Sequence, residues 1–392
     1  MRLQLSAALL CLFLIWGLGQ GAALAKRPTV TGAAELAGYT DSTNVQVASP
    51  SVAATVSDEV AGWSVGGRYL VDAVSAASVD IVATASARWN EQRHVGSADV
   101  SYKRGPAAVA ASAGVSHEPD YLSLSGGLVL TVDLLDKNLT PFIGARYGHD
   151  DVGRTGQPKE RWELLQRGGL QAGATFVINR FMVASVQLDA DFERGYLAKP
   201  YRYIPLFAPG TGTNLSAGAS PQQVNELRLD ERPIDSLPSE RDRYALTGRI
   251  AGRVGRATLR LDERLYTDSW GLWASTTDAR VMVDAGRRWL VWPHLRFHSQ
   301  SSAAFWQRAY EAVAQPDGTL SPPRFRSGDR ELSRLDTITG GFGIKLRVTG
   351  SIHSPWFVYY QLDAAYTHFL DALYITERWS LFSALGMTAQ WN

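Results

Sequence analysis

The sequence predicts an all-β protein: a transmembrane antiparallel up-and-down β-barrel of about sixteen strands that follows an N-terminal signal peptide. The first observation is a two-residue period in residues 181–193. Apolar side chains there alternate with polar ones, which include Asp189, Asp191 and Glu193. Successive side chains of a strand point to opposite faces, so this segment has one apolar and one charged face. The second observation is that the pattern recurs in many segments of about ten residues or more, separated by turn residues, which favours a barrel.

The N-terminus carries an export signal. Arg2 is the single charge in the first 25 residues, residues 9–18 are apolar, and Ala23 and Ala25 form a small-x-small cleavage site. We therefore predict that residues 1–25 are a cleaved signal peptide and that residues 26–392 form the barrel. An exported chain with alternating strands and no stretch apolar enough for a helical span suits the bacterial outer membrane, where a closed barrel satisfies every backbone group.

The strands are expected to alternate between short periplasmic turns and longer extracellular loops. They are predicted near residues 29–40, 44–56, 61–72, 93–104, 107–117, 121–135, 138–149, 168–178, 181–195, 242–254, 256–268, 272–285, 287–311, 334–348, 356–369 and 372–391. Long extracellular loops are predicted near residues 150–167, 196–241 and 311–334. Residues 73–93 are treated as an extracellular excursion, but residues 79–89 within it could form a strand, so fourteen or eighteen strands would also fit.

The longest predicted loop, residues 196–241, contains six prolines. A loop of this length in a compact fold is usually functional or disordered. Its residues 213–223 are rich in small and polar side chains and are expected to form a flexible tip. Two arrangements stay open for the loop, a constriction folded into the lumen and a solvated extracellular cap.

Charged side chains at alternate strand positions are predicted to face the lumen. Ten residues are assigned to this face: Asp189, Asp191, Glu193, Arg249, Arg253, Arg260, Asp262, Arg264, Lys345 and Arg347. The favoured interpretation is a cross-strand ladder of ion pairs, and the alternative is a transverse field that selects ions. Glu263 would face lipid, where a charge is unfavourable, so we expect a bulge or the extracellular end of the strand there.

Composition excludes several classes of protein. Without Arg2 the mature net charge is 39 − 1 − 38 = 0, which argues against nucleic-acid binding. Cys11 is the only cysteine and lies in the signal peptide, so the mature chain has no disulfide and no C-x-x-C-H haem site.

No cofactor, metal or catalytic site is predicted, and the protein is not expected to be an enzyme. Residues 62–66 match G-x-S-x-G around Ser64. That motif acts on a strand–turn–helix elbow, whereas here it begins a predicted strand, so we interpret the match as chance. His294 and His298 lie four residues apart on one strand, about 13 Å, which is too far to share a metal.

Several longer segments resemble one protein family. The segments R-L-D-E-R-L-Y-T-D-S-W-G-L at 260–272, K-P-Y-R-Y at 199–203 and L-D-A-L-Y-I-T at 370–376 are similar to segments of the domain-of-unknown-function 3570 proteins, as are residues 67–78, 118–121 and 134–138. The resemblance runs through nearly all of the mature chain. It implies a Gram-negative outer-membrane barrel and supplies no activity and no site residues. One departure is the chain end, Trp391-Asn392, where outer-membrane barrels usually present a terminal Phe to their assembly machinery.

Three functions are compatible with this fold, and one of them is remote. A barrel of about this size leaves a water-filled lumen unless a loop blocks it, so the first hypothesis is a porin-like channel for small polar solutes. The alternative is a structural or partner-binding barrel that serves a periplasmic or surface complex, and an outer-membrane hydrolase is a remote third. Expected partners are outer-membrane lipid, the outer-membrane assembly machinery and small polar solutes, with no nucleic acid.

Overall fold

A computed structural model describes residues 28–76, 89–348 and 355–391. The predicted signal peptide, residues 1–25, lies outside the described residues, and so do residues 77–88, which belong to the predicted excursion.

The described strands confirm the predicted barrel of sixteen strands. They are β1 (Thr29–Asp41), β2 (Val45–Asp58), β3 (Trp63–Ala76), β4 (Trp89–Arg104), β5 (Ala107–Glu118), β6 (Tyr121–Val132), β7 (Leu139–Val152), β8 (Glu163–Asn179), β9 (Met182–Gly195), β11 (Glu240–Val254), β12 (Ala257–Asp268), β13 (Trp273–Ala285), β14 (Trp289–Gln300), β18 (Leu335–Arg347), β19 (Trp356–Phe369) and β20 (Glu377–Trp391). Each strand pairs with its neighbour in this order, and β20 pairs antiparallel with β1 and closes the barrel. Closure leaves no unpaired sheet edge.

The two-residue period sorts side chains between the two faces of the barrel wall. In the β9–β11 pair, Leu188 lies opposite Leu246, and Asp191 lies opposite Arg243. The leucines are 59% and 41% exposed, on a face that carries many other exposed Leu, Val and Phe side chains. Since water disfavours such a continuous apolar surface, this is the face suited to lipid, and the charged face is the interior.

Several predicted boundaries are wrong at the long-loop end. The predicted strand 287–311 ends at Gln300, and the predicted strand 372–391 begins only at Glu377. Residues 301–334 therefore form a longer loop than predicted, because Ala303 and Tyr310 are buried between loops instead of continuing the alternation. The loop predicted at residues 150–167 is shorter, since β7 runs to Val152 and β8 begins at Glu163.

The expected irregularity at Glu263 is also wrong. β12 pairs with β11 and β13 in unbroken register, and Glu263 is its seventh residue of twelve, so it lies on the outer face near mid-strand. Its carboxylate accepts hydrogen bonds from the hydroxyls of Ser275, at 2.7 Å, and Thr277, at 2.5 Å. These donors give the carboxylate polar partners without any bulge.

Most of the apolar core of the described residues lies in the loops, and Leu335 and Phe369 add to it from strand ends. Residues 196–239 and 301–334, which we call the cap, pair through β10 (Leu206–Phe207) and β15 (Tyr310–Glu311), which are parallel. The cap also contains helix α1 (Pro221–Leu227), the short strands β16 (Val313–Ala314) and β17 (Leu320–Ser321), and 3₁₀ turns at Gly212–Asn214 and Arg330–Leu332. A third 3₁₀ turn, Lys159–Arg161, lies between β7 and β8. None of the helices in the described residues is long and apolar enough to cross a membrane.

The flexible tip predicted at residues 213–223 is wrong. Leu215 and Ala219 are buried with Phe207 and Val224 in one apolar cluster. Helix α1 begins with a capping box, in which the Ser220 hydroxyl accepts from the Gln223 backbone N–H and the Gln223 side chain accepts from the Ser220 N–H. Burial and capping therefore order this segment, although its composition resembles that of a mobile loop.

Candidate functional site

Eight of the ten predicted interior charges form separate ion pairs and small clusters on strands β7 to β13, a set that we call the charge network. Asp262 of β12 accepts from two arginines, Arg249 Nε at 2.9 Å and Arg260 Nη2 at 2.5 Å. Arg264 Nη1 lies 3.2 Å from Asp189 Oδ2, although their strands are separated by β11. The network therefore runs across several strands and is wider than the ladder that the sequence suggested for neighbouring strands.

The remaining members of the network use partners that were not among the ten residues. Glu193 Oε2 is 2.6 Å from Arg243 Nη2, and Arg253 Nη2 is 2.6 Å from Asp284 Oδ2. Asp191 pairs with Arg146 of β7. Positive and negative groups thus alternate along this part of the interior wall, so no single sign dominates it.

Lys345 and Arg347 lie apart from this network. Both belong to β18, which is separated from β12 by β13 and β14. The Lys345 ammonium lies 4.2 Å from the centre of the Phe357 ring, a cation–π contact. The structure therefore places these two residues at a second region of the interior face.

Further interior charges continue around the barrel. The pairs are Arg68–Glu35 at 3.8 Å, Arg93–Asp72 at 2.5 Å, Arg167–Asp150 at 2.8 Å and Arg241–Asp268 at 2.5 Å. The His294 ring is hydrogen-bonded to the Asp363 carboxylate at 2.7 Å. Their alternate positions in the sequence could have assigned most of them to the interior. The register between strands, which the sequence does not show, determines which charges become partners.

Glycines let several large interior side chains lie flat against the wall. A Cβ atom at Gly343 would overlap the Trp292 indole, and one at Gly386 would overlap the Tyr359 ring. The Tyr359 hydroxyl donates to the Glu35 carboxylate, which fixes that ring in place. Side chains held in this way extend along the wall, which leaves the lumen wider than it would be if they pointed to the barrel axis.

The cap is fastened to several places on the barrel rim. The Tyr201 hydroxyl donates to Asp120 and accepts from the Thr155 backbone N–H at 2.6 Å. On another side, Glu331 pairs with Arg378 of β20 at 2.6 Å. A third contact joins Arg308 Nη2 to Asp371 Oδ1 at 3.1 Å. These contacts hold the cap across the long-loop mouth of the barrel.

A cavity of about 970 Å³ lies between the cap and the interior wall. Wall residues such as Arg167 and Glu193 line one side, and cap residues such as Tyr201 and Trp306 line the other. The cavity combines aromatic rings with both signs of charge, which is the composition of a site for polar organic molecules.

Three carboxylates at this cavity are the one group in the described residues that could hold a metal ion. Glu91, Glu118 and Asp120 each offer an oxygen, and these oxygens lie within 4.8 Å of one another. Acidic groups that are partly exposed often cluster without any ion, so this arrangement alone does not identify a metal centre. The expectation that the protein has no cofactor and no metal stays a prediction.

Three carboxyl groups of the cap have shifted pKa values. Burial alone would raise the pKa of Asp329, but attraction to Arg202, whose Nη1 is 2.7 Å away, outweighs it and lowers the pKa. The side chain of Asp235 is fully buried, and this burial raises its pKa despite the Arg202 charge at 4.0 Å. The pKa of Glu311 is lowered by the backbone N–H of Gly210, which donates to it at 2.9 Å.

Ser64, the serine of the G-x-S-x-G match, is hydrogen-bonded to another serine of the barrel wall. Ser64 is the second residue of β3, and its hydroxyl lies 2.8 Å from that of Ser101 on the neighbouring strand. It therefore lies on a barrel strand and not on the strand–turn–helix elbow that activates a serine nucleophile.

Comparisons with solved structures find distant barrels. A bacterial polysaccharide outer membrane secretin is 8% identical with a TM-score of 0.46, covering 94% of this chain and 100% of that one. OprD of Pseudomonas aeruginosa is 6% identical with a TM-score of 0.44, covering 94% of this chain and 97% of that one. OpdK of the same species is 6% identical with a TM-score of 0.42, covering 94% and 100%. Likenesses this distant carry no functional argument.

The family comparison is more specific. No curated protein is significantly similar to the chain. The family model described as "Protein of unknown function (DUF3570)" matches residues 163–372, which include β8 to β19, both loops of the cap and most of the interior charge network. Because this match covers more than half of the 392 residues, the chain belongs to the DUF3570 family.

Proposed function

We propose that the protein is an outer-membrane channel for small polar solutes, whose long-loop mouth is covered by the cap. The observation that carries the proposal is the interior face lined with paired charges, such as Arg249 with Asp262 and Arg253 with Asp284. A lumen that holds charges must be wetted, because burying so many ions away from water would be unfavourable. A wet lumen of sixteen strands is wide enough to pass solutes.

The cap limits the size of the solutes that can pass through the barrel. It is fastened at well-separated points of the mouth, so a solute must pass through the cavity beneath it and around its edges. Small molecules can follow such a path, whereas a folded protein cannot. The proposal also includes export by the signal peptide at residues 1–25, insertion by the outer-membrane assembly machinery, and an orientation in which the cap faces outside.

The interior charges predict the ion preference of this channel. Because positive and negative groups are balanced, we expect weak selectivity in the unaltered protein. Replacing Arg249, Arg253 and Arg260 by Ser leaves Asp262 and Asp284 without these partners. The reversal potential in planar bilayers under a salt gradient should then move towards cation preference.

A matched control removes the same number of charges away from the interior. Arg180, Arg256 and Arg287 lie in short turns at the other end of the barrel, and replacing all three by Ser lowers the net charge equally. This variant should keep the weak selectivity of the parent protein. An equal shift in both triple variants would contradict a conduit lined by Arg249, Arg253 and Arg260.

A second candidate function is a platform for a partner, and the folded cap favours it. The β16–β17 hairpin presents Val313 and Leu320, which are 50% and 43% exposed. An ordered surface of this kind is also what a surface complex would need. A barrel that conducts no ions in either the parent or a cap-loosened form would support this candidate over the channel.

A further inference from the structure

We infer that the cavity beneath the cap is a binding site for a neutral saccharide of a few sugar rings. This inference rests on the proposed conduit, because it names the class of solute that the conduit selects. A sugar ring has apolar C–H faces and a rim of hydroxyl groups, so a site for it needs flat aromatic surfaces together with paired donors and acceptors. The cavity supplies both.

The aromatic surface is held in place. Tyr201 is 44% exposed, yet its hydroxyl is fixed between Asp120 and the Thr155 backbone N–H. Its ring therefore cannot rotate freely, and little conformational entropy is lost when a ligand stacks against it. Tyr196 and Trp306 also line the cavity as partly exposed rings. Several rings around one space suit a ligand with several apolar faces.

The polar surface is built from charges that already neutralise one another. Arg167 pairs with Asp150, and Arg202 pairs with Asp329, and all four residues line the cavity. A guanidinium has five N–H donors and a carboxylate has several acceptor sites, so a sugar hydroxyl can donate to Asp329 and accept from Arg202. Asp150 is fully buried and holds the exposed Arg167 guanidinium, which can donate to a second hydroxyl.

The overall charge of the lining favours a neutral ligand. The lining carries seven Asp and Glu side chains and six Arg and Lys side chains. The near balance gives little attraction to an ion of either sign. An anionic solute would in addition meet the adjacent carboxylates of Glu91, Glu118 and Asp120. Small-molecule cavities of about 300–1,000 Å³ hold ligands the size of a short oligosaccharide.

The test measures binding to the full-length protein folded in detergent micelles, by isothermal titration calorimetry. The probes are maltotriose, cellotriose and raffinose, with spermidine, citrate and Ca²⁺ as charged comparisons. At least one trisaccharide should bind saturably and more tightly than every charged probe. Absence of saturable binding by all three trisaccharides, or tighter binding of a charged probe, overturns the inference.

Two substitutions of Tyr201 distinguish stacking of its ring on the saccharide from the role of its hydroxyl in fastening the cap. Tyr201→Phe keeps the ring and removes the hydroxyl, so saccharide affinity should stay within about threefold, whereas Tyr201→Ala should weaken it about tenfold or more. Tyr196→Ala is a second ring deletion in case Tyr201→Ala does not fold, which heat-modified electrophoretic mobility reports. Equal loss in the Phe and Ala variants would mean that Tyr201 only fastens the cap.

The conduit is tested separately on the same preparation, in planar bilayers. Conductance without saccharide binding would contradict the saccharide inference and support the channel proposal. Saccharide binding without conductance would contradict the channel proposal and support a saccharide-binding barrel.

Discussion

Single glycines control how closely side chains lie against the interior wall. Gly343 faces the Trp292 indole from the neighbouring strand, and no other residue type would leave room for that ring. Gly340 lies on the same strand, but a Cβ atom there would meet nothing within 4 Å. Both positions are glycines of the same strand, but only Gly343 has a large side chain packed against it.

This contrast predicts the effect of adding one methyl group. Gly343→Ala should destabilise the barrel by about 1–3 kcal/mol, because the indole must leave its position. Gly340→Ala should be nearly neutral. Equilibrium unfolding in guanidinium chloride, followed by tryptophan fluorescence in lipid vesicles, measures both variants. Equal stability of the two would show that Trp292 does not pack on Gly343.

Acid should loosen the cap before it affects the barrel. The lowered pKa values of Asp329 and Glu311 mean that their stabilisation is present above their ordinary pKa, about 4, and is lost as pH falls through the folded values. Asp235 acts in the opposite direction, since its raised pKa means that acid relieves the burial of its charge. Because protonation of Asp329 also breaks its 2.7 Å ion pair with Arg202, we expect a net loss of cap stability below about pH 4.

Hydrogen exchange can measure this loss after correction for the intrinsic pH dependence of exchange. Protection at residues 204–207 and 310–312 should fall below about pH 4, while protection in the barrel strands persists. Asp329→Asn should weaken the cap already at neutral pH and reduce its dependence on acid. Constant protection of the cap down to pH 2 would contradict this account.

At the residue scale, the sequence predicts faces better than partners. The two-residue period predicts that Asp189, Arg249 and Asp262 share one face of the wall, and Arg249 and Asp262 are 2.9 Å apart. It could not show that Arg264 reaches Asp189 across an intervening strand, because this depends on side-chain length and register. The hydroxyls that bind Glu263 were missed for the same reason, since Ser275 and Thr277 are on the next strand.

Among the elements, the cap is the part that the sequence described least well. One of its apolar clusters combines Phe207, Leu215 and Val224 of the loop 196–239 with Leu373, which lies between β19 and β20. No periodic pattern links these residues, because they come from a short strand, a helix and irregular backbone. The strands were predicted well for the opposite reason, since each strand displays its own alternation.

Loosening the cap should leave the barrel intact. Phe207 is fully buried, so Phe207→Ala should destabilise the cap by about 3–5 kcal/mol. Residues 213–223 should then become accessible to added protease, whereas they should resist cleavage in the parent protein. Val313→Ala, at a side chain that is 50% exposed, is the matched control and should change little. Loss of heat-modified mobility in Phe207→Ala would mean that the cap and barrel fold as one unit.

For the whole molecule, the fold followed from the number and order of the segments. Sixteen alternating strands with short turns at one end specify a closed antiparallel barrel, and the structure confirms it. Whether the longest loop covers the mouth or enters the lumen could not be predicted, because the cap forms from two loops far apart in sequence. The pairing of Leu206 with Tyr310 is one of the contacts that join them.

Single-channel recording in planar bilayers tests the central claim of a capped conduit most directly. The parent protein should show a small conductance, because the cap covers the mouth. Phe207→Ala should raise the conductance several-fold, and Val313→Ala should match the parent. If neither the parent nor Phe207→Ala conducts ions, the channel account is contradicted and the partner-binding account takes its place.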